Sequence, residues 1–220
     1  MKTSFFTALL SCCMITAIAQ TKYGVQASRV MSSASFNTSA TDHINKDLNP
    51  GFGAGVYAEI PVNKKVTVKP GLNFMQKGVK IANNFTEEGT QFKQNVKANL
   101  NYIEVPVLAI YNFKGTGGKW FVGAGPSAGY GISGKLKGDL EINDGQNSQR
   151  EPFSVHAFRK ENDNGADFKR FDMGVEGVAG HNLSKKMAVQ LNYLHGLRNI
   201  ANASGFDNDK FRNRNMMLSL

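Results

Sequence analysis

Apolar residues alternate with small or polar ones along most of this chain, with a period of two. Side chains that alternate in this way lie on opposite faces of a β-strand. No stretch of comparable length has the period of an amphipathic helix. Eight segments show the alternation, and they lie near residues 23–28, 51–60, 66–74, 101–111, 120–132, 170–176, 189–193 and 215–220. The pattern therefore predicts an all-β protein.

The connections between these segments differ in length in a regular order. Short ones cover residues 61–65, 113–119 and 182–186, and long ones cover about 31–49, 82–99, 134–167 and 199–213. Because long and short connections alternate, every long one lies at the same end of an up-and-down sheet. Bacterial outer-membrane barrels have short periplasmic turns and long external loops. We predict an eight-stranded antiparallel up-and-down transmembrane β-barrel with both chain ends in the periplasm.

The N-terminus has the organisation of a signal peptide. Lys2 precedes an apolar stretch over residues 5–17, and Ala-Ile-Ala at 17–19 matches a small-x-small cleavage site. Residues 1–19 are therefore predicted to be a signal peptide and residues 20–220 the barrel domain. Both cysteines of the chain lie in the signal peptide, so no disulfide, thiolate metal site or cysteine nucleophile is expected after its removal.

Six short motifs stand out on the predicted strands. They are Gly55…Pro61, Lys69-Pro-Gly-Leu-Asn-Phe-Met-Gln-Lys-Gly78, Tyr102-Ile-Glu-Val-Pro-Val107, Phe121-Val-Gly-Ala-Gly-Pro126, Phe171-Asp172 and His195-Gly-Leu-Arg-Asn199. Together they resemble the small outer-membrane β-barrel, porin-like family of Gram-negative bacteria. The resemblance implies an eight-stranded barrel of OmpA or OmpX type in the cell outer membrane, and it assigns no activity, because the family is defined mainly by its architecture. Family members usually continue to a terminal aromatic residue that the insertion machinery reads. This sequence stops at Leu220, so we expect a short last strand.

Charged residues on the strands are predicted to lie inside the barrel. The bore of eight strands is only wide enough for side chains to fill, and a charge facing lipid at the midplane costs about 2–4 kcal/mol. Glycines of the inward phase, such as Gly125 and Gly129, leave room for longer side chains. We predict a mixed-sign, structural interior network that plugs the barrel and contains Glu59, Lys69, Glu104, Arg170, Asp172 and Glu176. A proton or ion relay is the functional alternative for these residues.

Three prolines fall within the predicted strands, at Pro70, Pro106 and Pro126. Proline cannot donate a hydrogen bond to a neighbouring strand, and a closed barrel has no free edge. We therefore expect a β-bulge at each of them.

A weak internal repeat involves two of the short connections. Pro61-Val-Asn-Lys-Lys resembles Asn182-Leu-Ser-Lys-Lys, and each stands between a glycine-rich strand and an amphipathic one. The simplest interpretation is that two tight turns with the same geometry carry similar residues.

Signals for catalytic, cofactor or metal chemistry are weak. The glycines over residues 123–129 resemble a dinucleotide loop, but that loop opens a helix, whereas here the strand alternation continues. His43, His156, His181 and His195 are far apart in sequence and form no metal-ligand pattern. No serine is spaced to pair with His195 in a hydrolase site. We therefore predict no catalytic, cofactor-binding or metal-binding residues and no cofactor.

The net charge of +9 is dispersed along the chain. A cluster typical of nucleic-acid binding is absent from the sequence, and export would separate the protein from cytosolic DNA. Lysines and arginines near the external rim can contact lipid phosphates. The predicted partners are outer-membrane lipid, lipopolysaccharide and the outer-membrane insertion machinery, with no nucleic acid, and the protein is expected to be a monomer.

The favoured function is that of a non-enzymatic integral outer-membrane protein with a structural, adhesion or secretion-accessory role. A small-solute channel is one alternative, although the narrow bore argues against it. A barrel enzyme that acts on lipid is another, and it would require a histidine, serine or aspartate group at the rim. A soluble lipocalin-like barrel would require the apolar phase to face inward.

Overall fold

The computed structural model describes residues 20–35, 44–87, 90–113, 119–143, 148–158, 168–200 and 212–220. The predicted signal peptide, 1–19, lies outside the described residues, as do parts of each predicted long connection. Within the described ranges, no helix is long and apolar enough to cross a membrane. The strands are β1 Lys22–Ser35, β2 Ile44–Asp47, β3 Asn49–Pro61, β4 Val66–Glu87, β5 Thr90–Asn112, β6 Trp120–Asn143, β7 Ser148–His156, β8 Phe171–Asn182, β9 Ala188–Gly196 and β10 Arg212–Ser219.

Eight of these strands close into a ring in the order β1, β3, β4, β5, β6, β8, β9, β10 and back to β1, and every neighbouring pair is antiparallel. The predicted eight-stranded antiparallel up-and-down barrel is thereby confirmed. Strands β1 and β10 close the ring, where Ala27 and Leu220 exchange backbone hydrogen bonds and the hydroxyls of Ser28 and Ser219 lie 2.8 Å apart. Strands β2 and β7 lie outside the ring and pair with β4 and β6.

The predicted assignment of the two faces is also confirmed. Val25, Val56 and Val175 are exposed on the outer face, whereas Asn73 and Gln190 are buried inside. We call the exposed apolar surface of the ring the outer band. A soluble barrel with an apolar interior would require the opposite arrangement.

Two of the predicted long connections are formed largely by strand. Residues 82–99 belong mainly to β4 and β5, which pair as far as Glu87 opposite Thr90. Much of 134–167 belongs to the end of β6 and to β7. We call the part of the sheet beyond the ring, residues 78–87, 90–99, 134–143 and 148–156, the raised sheet.

The strand boundaries were predicted wrongly because the apolar face changes sides at the edge of the ring. Along β5, Ile103 and Val105 are the outward apolar residues below this edge. Above it, Ala98 and Leu100 are buried, and the outward positions are polar. This inversion is expected where the surroundings of the outer face change from lipid to water, because apolar side chains avoid water.

The repeated turn motifs adopt one geometry. Asn63 Oδ1 accepts hydrogen bonds from the amides of Lys65 and Val66, at 2.8 and 2.9 Å. Ser184 Oγ accepts from the amides of Lys186 and Met187, at 3.2 and 3.1 Å. A short polar side chain that accepts from amides two and three residues later is a common way to close a tight turn.

The expected bulges at the three prolines are not found. Each proline interrupts the pairing of its strand with one neighbouring strand, and that pairing resumes beyond the proline in the same register. The pairing with the other neighbouring strand includes the proline, as is seen for Pro70, Pro106 and Pro126. The missing amide therefore interrupts one ladder without inserting a residue. The register shift between β5 and β6 instead lies at Asn101 and Tyr102, opposite the segment that contains Ile132.

Val175 provides a test of the outer band. It lies near the middle of the band, opposite Pro126 on β6, and its side chain is exposed. We expect Val175→Arg to lower the free energy of unfolding in a lipid bilayer by about 2–4 kcal/mol, the cost of arginine at the midplane. The matched control is Val62→Arg in a short turn, which is exposed outside the strands. Equal losses in urea titrations of the two variants would contradict the assignment of Val175 to the lipid face.

Candidate functional site in the barrel interior

A buried lysine joins two strands across the interior. The Lys77 ammonium forms an ion pair with Glu104 Oε1 and lies 3.6 Å from Asp172 Oδ2. Its side chain is fully buried, and its Nζ lies 4.8 Å from the centroid of the Tyr102 ring. We call Lys77, Glu104 and Asp172 the ionic triad. Removing these groups from water is costly, and their close approach offsets that cost.

A glycine makes room for the triad. Gly129 on β6 pairs with Glu104 on one side and with Asp172 on the other, so it stands between the two carboxylates. A Cβ at this position would lie 3.3 Å from Glu104 Oε1 and 3.4 Å from Tyr102 Cδ1. The absence of a side chain on the middle strand allows the lysine of β4 to reach both acids.

The carboxylate of Asp172 has further partners. Its Oδ2 accepts a hydrogen bond of 2.8 Å from Asn213 Nδ2, and its Oδ1 accepts one of 2.8 Å from the amide of Met173. These donors hold the carboxylate in place and connect the triad to β10. The triad is therefore fixed from strands on several sides of the barrel.

A second polar layer lies nearer the short turns. Lys69 Nζ donates to Gln190 Oε1 at 3.1 Å, and Gln190 Nε2 donates to Gln26 Oε1 at 3.3 Å. Gln26 Nε2 in turn donates to Asn73 Oδ1 at 2.8 Å. The ammonium of Lys69 also lies 3.8 Å from the centroid of the Tyr57 ring, within the range of a cation–π contact. This chain of hydrogen bonds crosses the bore from β4 through β9 and β1 and returns to β4.

Apolar layers alternate with these polar layers. A cluster nearest the short turns contains Leu108, Ile110, Phe121 and Val178. A second cluster, between the polar layers, contains Val30, Met75, Leu194 and Met217. A third fills the base of the raised sheet and contains Val79, Ala98, Leu100, Tyr102, Leu136, Ala157, Phe158, Phe168 and Ile200. Side chains therefore fill the bore from the second polar layer to the base of the raised sheet.

The six sequence-predicted residues occupy four levels of the barrel. Glu104 and Asp172 meet through Lys77, and Lys69 belongs to the second polar layer. Glu176 is buried close to that layer, where its Oε1 accepts a hydrogen bond of 2.6 Å from Asn192 Nδ2.

The other two predicted residues lie apart. Glu59 lines a vestibule of about 870 Å³ at the end with the short turns. Arg170 lies at the opposite end, where its guanidinium donates to the carbonyls of Gly131 and Phe158 at 3.0 and 3.2 Å. In the described part of the chain, the structure joins neither residue to the ionic triad.

The sequence interpretation missed Lys77, the central cation. The predicted strand ended at Phe74, although the inward phase of Lys69 and Asn73 continues through Met75 to Lys77. Extending the period of two by three residues would have placed Lys77 inside the barrel.

The described interior side chains form ion pairs and hydrogen bonds with one another. Among the described residues, no group of three or more histidine, cysteine, aspartate or glutamate side chains could hold a metal ion. The ionic triad is shielded by apolar layers on both sides. Its geometry suits a fixed structural contact between strands.

Removal of the central lysine tests this role. Lys77→Met should lower the free energy of unfolding in detergent by about 3–5 kcal/mol, because two buried carboxylates lose their counter-ion. Lys64→Met in an exposed turn is the matched control and should be close to neutral. Adding Glu104→Gln to Lys77→Met should recover part of the loss. A urea titration in which the two lysine variants unfold at the same midpoint would contradict a stabilising triad.

Comparison with known proteins gives the following matches. A family model described as "Outer membrane protein beta-barrel domain" matches residues 18–202. Neisserial surface protein A is similar in structure, with 12% identity and a TM-score of 0.39 over 90% of this chain and 96% of that one. Ail, the attachment invasion locus protein of Yersinia pestis, is 14% identical with a TM-score of 0.42, over 90% of this chain and 94% of that one. No curated protein matches the sequence.

Proposed function

The chain belongs to the family of outer membrane protein β-barrel domains, and we propose that it is a non-enzymatic surface protein of the outer membrane. In this proposal residues 1–19 direct export, and the insertion machinery places the barrel in the membrane as a monomer. The apolar outer band supports the membrane location, because an outward-facing apolar band is what a bilayer requires of a barrel.

The barrel is proposed to act as an anchor and not as a pore. The observation that carries this proposal is the filling of the bore by three apolar clusters and two polar layers. A channel requires a continuous aqueous path, which larger barrels provide. Ile110, Phe121 and Lys69 are among the residues that line the vestibule at the end with the short turns.

Contact with other molecules is proposed to occur through the raised sheet. It continues two hairpins beyond the ring, at the end opposite the short turns. Within the described residues, β7 pairs only with β6, so its other edge is open to an added strand. Exposed edges of this kind bind extended peptides through main-chain hydrogen bonds. An adhesion role fits a rigid external sheet on a closed anchor.

Conductance measurements test the anchor. The full chain reconstituted in planar bilayers should give no conductance above that of protein-free bilayers, because side chains block the bore. A porin of known conductance, reconstituted in parallel, serves as the positive control. Discrete channel openings that appear with the folded, heat-modifiable form would overturn the anchor and revive the small-solute channel.

Protease treatment of intact cells tests the adhesion role. Trypsin should cut within residues 134–167, at sites such as Lys160, and leave the exposed Lys64 and Lys65 of the periplasmic turn uncut. Adherence of the cells to a host-cell layer should fall, while the barrel stays heat-modifiable on a gel. Unchanged adherence after complete cleavage would show that the raised sheet carries no adhesion function. Cuts confined to the short turns would invert the topology.

A further inference from the structure

Three polar side chains form a row inside the barrel where the ring closes. Asn215 on β10 pairs with Ser32 on β1, and Ser32 pairs with Asn49 on β3. Directly paired residues share one face of a sheet. That face is the interior, since the three residues are at most 2% exposed. We call these three residues the seam row.

The seam row contains four buried polar atoms that form no hydrogen bond with a described residue. They are Asn215 Nδ2, Asn215 Oδ1, Ser32 Oγ and Asn49 Oδ1. Elsewhere along the same two closing strands, the hydroxyls of Ser28 and Ser219 lie 2.8 Å apart. Paired polar side chains of β1 and β10 can therefore bond directly, whereas those of the seam row do not.

The orientation of the Asn49 side chain is set by its other contacts. Its Nδ2 donates to Asn99 Oδ1 at 3.0 Å and to the carbonyl of Ala98 at 3.5 Å. Gly78 makes room for this amide, because a Cβ at that position would collide with Asn49 Nδ2. Since the nitrogen already has two acceptors, Asn49 Oδ1 is the atom that still requires a donor.

The surroundings of Asn215 supply no replacement partner within the described part of the chain. Asn215 pairs on its other side with Leu194 of β9. The next inward residue of β10 towards the short turns is Met217, which belongs to the second apolar cluster. In the opposite direction, Asn213 donates to Asp172. Buried polar groups are almost always satisfied in native proteins, and ordered water does so where protein groups do not.

The four atoms require both donors and acceptors. Asn49 Oδ1 and Asn215 Oδ1 need a donor, Asn215 Nδ2 needs an acceptor, and the Ser32 hydroxyl can serve as either. A bare cation would satisfy only the oxygens, and an anion would satisfy only the donors. Water donates and accepts at once, and it bridges polar groups that are too far apart to bond directly.

We propose that the seam row binds ordered water, with one molecule between Asn215 and Ser32 and a second between Ser32 and Asn49. The two molecules join β10, β1 and β3 on the inner side of the sheet, in addition to the backbone pairing of these strands. The apolar cluster that contains Val30 and Met217 lies between this water and the second polar layer. The bound water therefore forms no continuous path through the bore.

Diffraction from crystals of the full chain in detergent tests the site directly. We expect one density peak at about 2.7–3.2 Å from Ser32 Oγ and from an Asn215 side-chain atom, and another between Ser32 Oγ and Asn49 Oδ1. A direct hydrogen bond between Asn215 and Ser32, or no peak at either position, would overturn the proposal. A peak ringed by six or more oxygens at about 2.3–2.6 Å would assign a cation and would also overturn it.

Thermal unfolding in detergent gives a second test, in which the sign of the change is decisive. Asn215→Leu removes both polar atoms and keeps a side chain of similar size. If water satisfies the row, the change leaves that water and Ser32 short of partners, and we expect the Tm to fall by about 2–4 °C. If the row is dry, the change removes two unpaired atoms, which is neutral or stabilising.

Two further variants accompany this measurement. Ser32→Ala removes the hydroxyl shared by both water molecules without adding volume, and it should also lower the Tm. Met217→Leu, the matched control on the same strand, should change the Tm little, because methionine and leucine have similar volumes. A Tm of Asn215→Leu and Ser32→Ala equal to or above that of the unchanged chain would contradict bound water. If Asn215→Leu does not fold, Ser32→Ala and the diffraction experiment still decide the question.

Discussion

An unpaired backbone amide or carbonyl costs several kcal/mol in hydrocarbon, and this constraint determines the rest of the structure. A sheet meets it only by closing on itself, which β1 and β10 achieve. Closure with eight strands then fixes the bore at a width that side chains can fill. Inward side chains must therefore pack against one another, and most outward side chains of the ring are apolar.

The interior charges also hold the strands in register. Because side chains alternate with a period of two, a slip of one residue would move an inward residue to the outer face. On β4 such a slip would place Lys77 in lipid, and on β8 it would do the same to Asp172. Apolar inward residues such as Met75 or Val178 would impose no comparable penalty. The ionic triad therefore favours one register of the neighbouring strands over the slipped registers, in addition to its effect on stability.

The strands of the ring could be predicted from the sequence, whereas those of the raised sheet could not, and the difference has one physical reason. Below the edge of the ring, the alternation of Phe171 with Asp172 or of Val122 with Gly123 follows the rule of apolar out and polar in. Above it the rule is reversed, since Leu100 faces inward and Asn101 faces outward. A strand predicted from outward apolar residues therefore ends at the edge of the ring. Lys77 was missed at this same boundary. Arg170 has the predicted inward phase, but it precedes β8, which begins at Phe171. Its guanidinium therefore donates to the carbonyl of Phe158 and forms no ion pair with an acid of the ionic triad.

The register shift at Asn101 and Tyr102 has a consequence for changes in chain length. Below it, odd-numbered residues of β6 such as Gly125 and Gly129 face the axis, and beyond it, odd-numbered residues such as Lys135 and Lys137 face away. Deleting the codon of the extra residue, Ile132, would restore a regular alternation and leave Leu136 facing the apolar cluster and the two lysines facing outward. An added residue at the same place would instead turn Leu136 outward unless a second bulge formed. Among related chains, single deletions at this position should therefore be tolerated more readily than single insertions.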